Sequence, residues 1–316
     1  MFSIFKGITL SQNELDQYYI KKRKQYYQKH GAIPKHIRLH NMLHWILVPC
    51  IMLLRKINGI KLTMVCDERT KTDKPIIYAC THIGGVDIET AFEAIKNPCW
   101  LFLGDPREVY KNIDGFLLSL NGVICLDSKD KDDRRIAKET AVALLQNGGN
   151  LMIFPEGAWN ISVNQPVMGL FAGTADMAIQ SKAKIVPVSI ECYGKHMYVA
   201  IGKNIEVADI WYDKYELTNY LRDELATLKW RIFEEVGVCS RIEIPENYRQ
   251  EFIDGIINDN KDTSYTEQDV IDTMFKDKNS TNPQEAFAHL YIIHPTMQNA
   301  FLFNKRLKGK KYYENR

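Results

Sequence analysis

Two short stretches hold the residue types that acid–base chemistry needs. The first is Thr81-His82-Ile83-Gly84-Gly85-Val86-Asp87. A histidine and an aspartate five positions apart cannot meet inside one helix, because five steps of ~100° leave them roughly 140° apart. They meet only where His82 sits in a loop and Asp87 in the first helical turn. Gly84 and Gly85 permit the tight bend between them. Asp87 can then accept from one ring nitrogen of His82 and fix the tautomer, leaving the other nitrogen as a general base. That is the base-and-orienter pair of hydrolytic triads without a protein nucleophile. The spacing alone is weak, since a lone histidine beside a capping aspartate fits the same letters. The second stretch is Leu151–Asn160, LMIFPEGAWN. A buried strand there ends in Pro155-Glu156-Gly157, which sets a carboxylate where α/β sheets form their ligand crevice. Glu156 can bind a hydroxyl or a cation, hold a basic group, or simply cap a neighbouring turn.

The elements around these stretches alternate. Apolar runs at 60–67, 74–81, 98–104, 121–127, 150–156, 184–193 and 197–203 read as strands. Helical patterns fall at 87–95, 107–120, 132–146 and 169–182. The third runs from an acidic start to an Asn147-Gly148-Gly149 stop, which suits the helix dipole and a left-handed cap. Strands alternating with helices of this length predict an α/β fold with a mixed, largely parallel sheet flanked by helices. Residues 11–58 read as helical with a break at Gly31–Pro34. Residues 215–236 form one long amphipathic helix, with Leu217, Leu221, Leu225, Leu228 and Ile232 in step. The expected organisation is an N-terminal basic, amphipathic segment (1–58), an α/β domain (59–237) and a helical C-terminal extension (238–316).

Charge is unevenly spread. The chain of 316 residues carries a net +2, but residues 1–60 hold ten Lys/Arg against two acidic groups, leaving the remainder at about −6. A basic, apolar N-terminal segment on a weakly acidic body points to an anionic surface, and membrane lipid fits better than nucleic acid, for which no motif is present. The longest apolar run, Met42–Leu54, contains His44 and Pro49 and is flanked by Arg38, Arg55 and Lys56. It is about half the length that spans a bilayer, so it reads as a helix lying in the interface, with a core helix as the alternative. His36, His40 and His44 recur at helical spacing and are expected on its lipid-facing side. The N-terminus lacks the apolar core of a secretory signal. Seven cysteines without a C-x-x-C pair read as buried, reduced thiols. His289 and His294 lack acidic or cysteine neighbours at metal spacing and read as structural.

Taken together, the two motifs carry a resemblance. The chain resembles the glycerolipid acyltransferases, of which the lysophosphatidic acid acyltransferases are the best-known members. That family's first motif is N-H-x-x-x-x-D and its third is F-P-E-G-T-R-S. Here they stand as THIGGVD and FPEGAWN, in order and about seventy residues apart. Residues 121–127 occupy the place of the second motif, and 184–190, with Pro187, resemble the fourth. The resemblance covers roughly residues 40–230. It implies that His82 takes the proton of an acceptor hydroxyl while Asp87 orients and stabilises the imidazolium. The oxygen then attacks the thioester of acyl-CoA or of an acyl carrier protein, which is a co-substrate; no cofactor or metal is implied. Backbone N–H groups near Gly84, Gly85 or Gly157 would hold the oxyanion, and Glu156 and Gly157 would shape the acceptor site. The implied setting is the cytoplasmic face of the cell membrane.

Two departures bear on the acceptor. The family has an arginine after its second-motif strand and another in its third motif, both thought to hold the acceptor phosphate by bidentate pairing. Ser128 and Trp159 stand in those places. Lys129, Lys131, Arg134 and Arg135 follow closely, and Lys129 and Arg134 are the candidate replacements. They are interleaved with Asp127, Asp130, Asp132 and Asp133, so a solvated helix start fits as well. Trp159 can stack on a less charged head group or pack in the core. The expected acceptor is 1-acyl-sn-glycerol-3-phosphate. The alternatives are a non-phosphate lipid precursor such as an acylated amino acid, a non-catalytic lipid-binding protein of the same fold, and, more remotely, a thioester hydrolase.

Overall fold

The computed structural model describes residues 3–104, 106, 109–111, 113–163, 165–238, 241–260 and 265–276. Seven strands, β1 (Lys61–Asp67), β2 (Ile76–Cys80), β3 (Trp100–Gly104), β4 (Val123–Leu126), β5 (Leu151–Ile153), β6 (Lys184–Tyr193) and β7 (His196–Ile201), form one sheet in the order β1-β7-β6-β2-β5-β3-β4. Strands β2 to β6 are mutually parallel, while β7 pairs antiparallel with β6 and parallel with β1. The sheet is therefore mixed and largely parallel, as the alternation of elements predicts. Each predicted strand is present: β6 keeps its predicted bounds, β7 is shifted toward its start, and the others are trimmed at their ends.

Both faces are covered, which is why β2 reads as an unbroken apolar run, Ile-Ile-Tyr-Ala-Cys, with every residue buried. On one face Ile77 and Ala79 pack under α6 (Lys131–Gln146), α7 (Gly173–Ser181) and α8 (Lys214–Val236). On the other, Ile76, Tyr78 and Cys80 meet α4 (Asp87–Ile95) and the inner residues of α3 (Ile37–Ile57). Two helices begin later than their periodicity suggests. The helix after β3, α5, spans Ile113–Asn121 rather than starting at 107, and α7 starts at Gly173 rather than 169. Leu170 is buried before α7 begins, so an apolar residue at helical spacing serves the core from a loop.

Of the N-terminal helices α1 (Ile4–Thr9) and α2 (Gln12–His30), α2 attaches through ion pairs and through Leu15 and Tyr19, which cluster with Tyr110. Arg23 on α2 makes a two-pronged ion pair with the fully buried Asp133 of α6 (2.9 and 2.6 Å), and Lys24 reaches Asp130 at 2.7 Å. Asp130 and Asp133 at the start of α6 thus serve as a docking surface, while Lys129, Lys131 and Asp132 are exposed. The long apolar helix, α3, is 21 residues rather than thirteen and is long and apolar enough to cross a membrane. Its histidines do not face outward. His44 is buried with Nδ1 at 2.7 Å from Asn121 Oδ1, and His40 Nδ1 lies 2.7 Å from the Leu120 carbonyl. His36 stands before the helix in a left-handed conformation. At the far end Arg55 makes a two-pronged pair with Glu93 of α4 (2.6 and 2.7 Å). The opposite side, with Met42, Trp45, Ile46, Leu53 and Leu54, is exposed.

At the other end of the chain, α9 (Tyr248–Asp259) and α10 (Glu267–Thr273) pack against the loop that follows β5. Phe252, Ile253, Ile256 and Val270 share one apolar cluster with Ala158, Ile161 and Met168. His289, His294 and the basic C-terminal tail lie outside the described residues. Of the cysteines described, Cys80, Cys99 and Cys125 are buried, Cys66 and Cys192 are half-buried and Cys50 is exposed. Burial pushes the Cys125 thiol up to about 12, so it is inert at neutral pH.

Candidate active site

The C-terminal ends of β2 and β5, adjacent in the sheet, deliver the two motifs side by side. Past Cys80 the chain leaves the sheet, and Gly84 and Gly85 both adopt positive φ (81° and 65°), the bend that a side chain would oppose. The helix α4 starts at Asp87, which places its carboxylate back under the loop. Asp87 Oδ2 accepts from His82 Nδ1 at 2.8 Å, from the Ile83 N–H at 2.9 Å and from the Gly84 N–H at 2.8 Å. One buried oxygen therefore fixes both the loop and the imidazole. His82 Nε2 makes no hydrogen bond among the described residues, and the ring is partly exposed (17%). A proton on Nδ1 and a lone pair on Nε2 is the tautomer this geometry selects.

The ring is also held by its faces. Phe154, the last residue before Pro155-Glu156, stacks on His82 with centroids 4.3 Å apart, and Trp159 meets it edge-on at 6.4 Å. Glu156 is wholly buried. Its Oε1 accepts the His82 N–H and its Oε2 the Met168 N–H, each at 2.9 Å. Burial pushes its carboxyl above the usual range, while the two N–H donors pull it back. Both oxygens are spent on backbone, so Glu156 braces the histidine loop from beneath. Asn160 completes the bracing: its N–H donates to the His82 carbonyl at 2.7 Å, and its side-chain amide donates to the Gln165 carbonyl at 3.0 Å.

The candidate oxyanion donors are occupied. The Gly84 N–H goes to Asp87, the Gly157 N–H to the Phe154 carbonyl at 3.0 Å, and the Gly85 N–H to Asn260 Oδ1 at 2.9 Å. Gly157, at φ +71°, makes the turn itself; a side chain there would strike Phe171. The candidate phosphate ligands stand apart from the histidine. Strand β4 lies three strands from β2, roughly 14 Å at ordinary strand spacing. The loop after it exposes Lys129, and Arg134 turns its guanidinium to the Ser128 carbonyl. Trp159, in the place of the second family arginine, packs edge-to-face on Tyr265, centroids 5.4 Å apart.

Sequence reasoning finds His82, Asp87, Glu156, Gly157 and Trp159 in one place, but not Phe154, Asn160, Asn260 or Tyr265. Phe154 and Asn160 lie inside the second motif stretch and were within reach of a reading that asked what stacks on the histidine. Asn260 is 175 positions from its partner, and no local pattern marks it. A buried ion pair, Lys229–Glu191 at 2.6 Å, was likewise unreadable; Lys229 also donates to the Ile190 carbonyl at 2.6 Å, next to Thr81.

The family model described as Acyltransferase matches residues 61–191, which hold β1 to most of β6 and both motifs. The matched span contains His82 and Asp87 of the H-x4-D motif and Glu156 of the F-P-E-G motif. The crystal structure of the 1-acyl-sn-glycerophosphate (LPA) acyltransferase PlsC from Thermotoga maritima is similar at 15% identity and a TM-score of 0.46, covering 75% of this chain and 88% of that one. No curated protein matches the chain.

Proposed function

We propose that this protein transfers a fatty acyl group from a thioester, acyl-CoA or acyl carrier protein, to the hydroxyl of a lyso-lipid at a membrane surface. The observation that carries this reading is the His82–Asp87 pair, with Nδ1 anchored at 2.8 Å and Nε2 open, inside an acyltransferase-family domain. The acceptor O–H gives its proton to Nε2 as its oxygen attacks the thioester carbonyl. Asp87 stabilises the imidazolium that forms. Collapse of the tetrahedral intermediate expels the thiolate, which takes the proton back from Nε2. No covalent acyl-enzyme is required.

Membrane placement rests on α3. At ~1.5 Å per residue it is about as long as a bilayer core is thick. Yet His40, His44 and Arg55 tie one face of it to the α/β domain along its whole length. A helix so tethered lies in the interface with Trp45, Ile46, Leu53 and Leu54 toward lipid, which makes the protein monotopic. The basic N-terminal segment suits the anionic cytoplasmic leaflet.

The default acceptor is 1-acyl-sn-glycerol-3-phosphate, giving phosphatidic acid, with Lys129 and Arg134 as the cations nearest the family's arginine positions. A second acceptor class, a lipid without phosphate such as an acylated amino acid, is favoured by the aromatic wall. Trp159 sits between His82 and Tyr265 where an arginine would stand. Thiol release from palmitoyl-CoA and from an acyl carrier protein, with lysophosphatidic acid, monoacylglycerol, an acylated amino acid or no acceptor, separates these readings. Release with lysophosphatidic acid alone supports the default, and equal use of the phosphate-free lipid favours the second class. Release without any acceptor makes the protein a hydrolase, and silence throughout makes it a lipid-binding protein.

A further inference from the structure

The C-terminal helices reach the catalytic loop through one side chain. Asn260 caps α9 and is 8% exposed. Its Nδ2 donates to the Ile256 carbonyl at 2.8 Å, which leaves Oδ1 aimed at the Gly85 N–H, 2.9 Å away. The approach is close: a Cβ on Gly84 would lie 2.6 Å from Asn260 Nδ2 and 3.4 Å from Trp159. Glycine at 84 therefore serves twice, for its φ of +81° and for the room it gives Asn260. The next N–H back along the chain, Gly84, and the one before it, Ile83, donate to the same Asp87 oxygen that holds His82. Three successive amides are thus fixed, two by Asp87 and the third by Asn260. Beside them Trp159 links His82 to Tyr265, which also comes from the C-terminal region.

We propose that Asn260 is a positioning residue of the active site, and that residues 248–276 are a working part of the acyltransferase rather than an appended cover. This rests on the acyl-transfer reading above. By pinning Gly85, Asn260 sets the Gly84–Gly85 bend, and the bend sets the angle at which Asp87 presents His82 to the acceptor hydroxyl. A loop displaced by a fraction of an ångström would bind its substrates as before and react more slowly, because alignment is used in the transition state.

The test compares Asn260→Leu, which keeps the volume but cannot accept, with Asn260→Asp, which keeps an oxygen for Gly85. Both are assayed as full-length protein by thiol release, with the donor and acceptor on which the wild type is most active. Asn260→Leu should lower kcat by roughly 10- to 100-fold with KM within about 3-fold, and Asn260→Asp should recover most of the loss. Melting temperatures are measured alongside; should Asn260→Leu fail to fold, Asn260→Ala takes its place. Wild-type kcat in the Leu or Ala variant overturns the proposal. So does an equal fall in the Leu and Asp variants that tracks their melting temperatures, which marks a packing role only. A wild-type protein silent toward every thioester and acceptor overturns the acyl-transfer reading, and this one with it.

Discussion

The N-terminal helices and the helices α9 and α10 are fastened to the same α/β domain by different balances of charge and apolar contact. The N-terminal arm docks mainly through polar pairs, Arg23 on Asp133, Lys24 on Asp130 and the Tyr27 hydroxyl on Glu139, beside a small cluster of Leu15 and Tyr19 with Tyr110. On α3 it turns Val48 inward and leaves Met42, Trp45, Ile46, Leu53 and Leu54 facing out. The C-terminal helices dock through an apolar cluster around Phe252 and spend a polar side chain, Asn260, on the loop that carries His82. Apolar surface left exposed is what a membrane can use, and apolar surface turned inward excludes water from chemistry. On the proposed reading, the first end places the protein at the membrane and the second braces its site.

Three perturbations separate these roles. The largest effect is expected from Phe252→Ala. Phe252 is 1% exposed at the centre of the C-terminal cluster, and a truncation of this kind costs about 3–5 kcal/mol. Limited proteolysis should then cut within 248–276 while the sheet resists, and activity should fall with the loss of Asn260's contact. Survival of activity after that cleavage would show that the C-terminal helices are dispensable. Next is the pair Ile46→Ser with Leu53→Ser on the exposed side of α3, both more than half exposed. Stability in urea should move by no more than ~0.5 kcal/mol. Co-sedimentation with anionic vesicles should drop roughly 10²- to 10⁴-fold, since each of the two side chains inserted is worth about 1.5–3 kcal/mol. Unchanged vesicle binding would remove α3 from the membrane contact.

The smallest effect is one of acidity. The hydrogen bond from Lys24 holds the Asp130 carboxyl below its usual range, and the Tyr27 hydroxyl does the same for Glu139. Carboxyls lowered on docking favour the docked state above their free values and lose that contribution as the pH falls through the lowered ones. Below about pH 4, hydrogen-exchange protection in α2, corrected for intrinsic rates, should weaken several-fold more than in α9, which is held by apolar contacts. Equal weakening in both would mean that α2 is not held by these pairs.

The same contrast explains what the sequence could reveal. Strand β2 is legible as Ile-Ile-Tyr-Ala-Cys because burial on both faces forces an apolar run. His82 and Asp87 are legible because a glycine pair, a strand before and a helix after leave only one way for them to meet. Within the stretch 127–133, Asp130 and Asp133 pair with Lys24 and Arg23 while Lys129 and Asp132 are exposed, and a charged residue looks the same in sequence whether it faces water or Arg23. The histidines of α3 were misread for a related reason: helical spacing says that residues share a face, not which face is buried, and the partner that decides it, Asn121, is 77 positions from His44. Asn260 had no signal at all. Its role depends on a single side-chain oxygen meeting an amide across 175 positions, and periodicity carries no information about such a contact.

The central claim is that His82 deprotonates an acceptor hydroxyl, and thiol release from palmitoyl-CoA tests it most directly. Wild-type protein is compared with His82→Ala, each with and without a lyso-lipid acceptor, and the assay is repeated with acyl carrier protein as donor. The account predicts acceptor-dependent release that falls by roughly 10²- to 10⁴-fold in the variant, as loss of a general base requires. Acceptor-dependent release that survives in His82→Ala would contradict it.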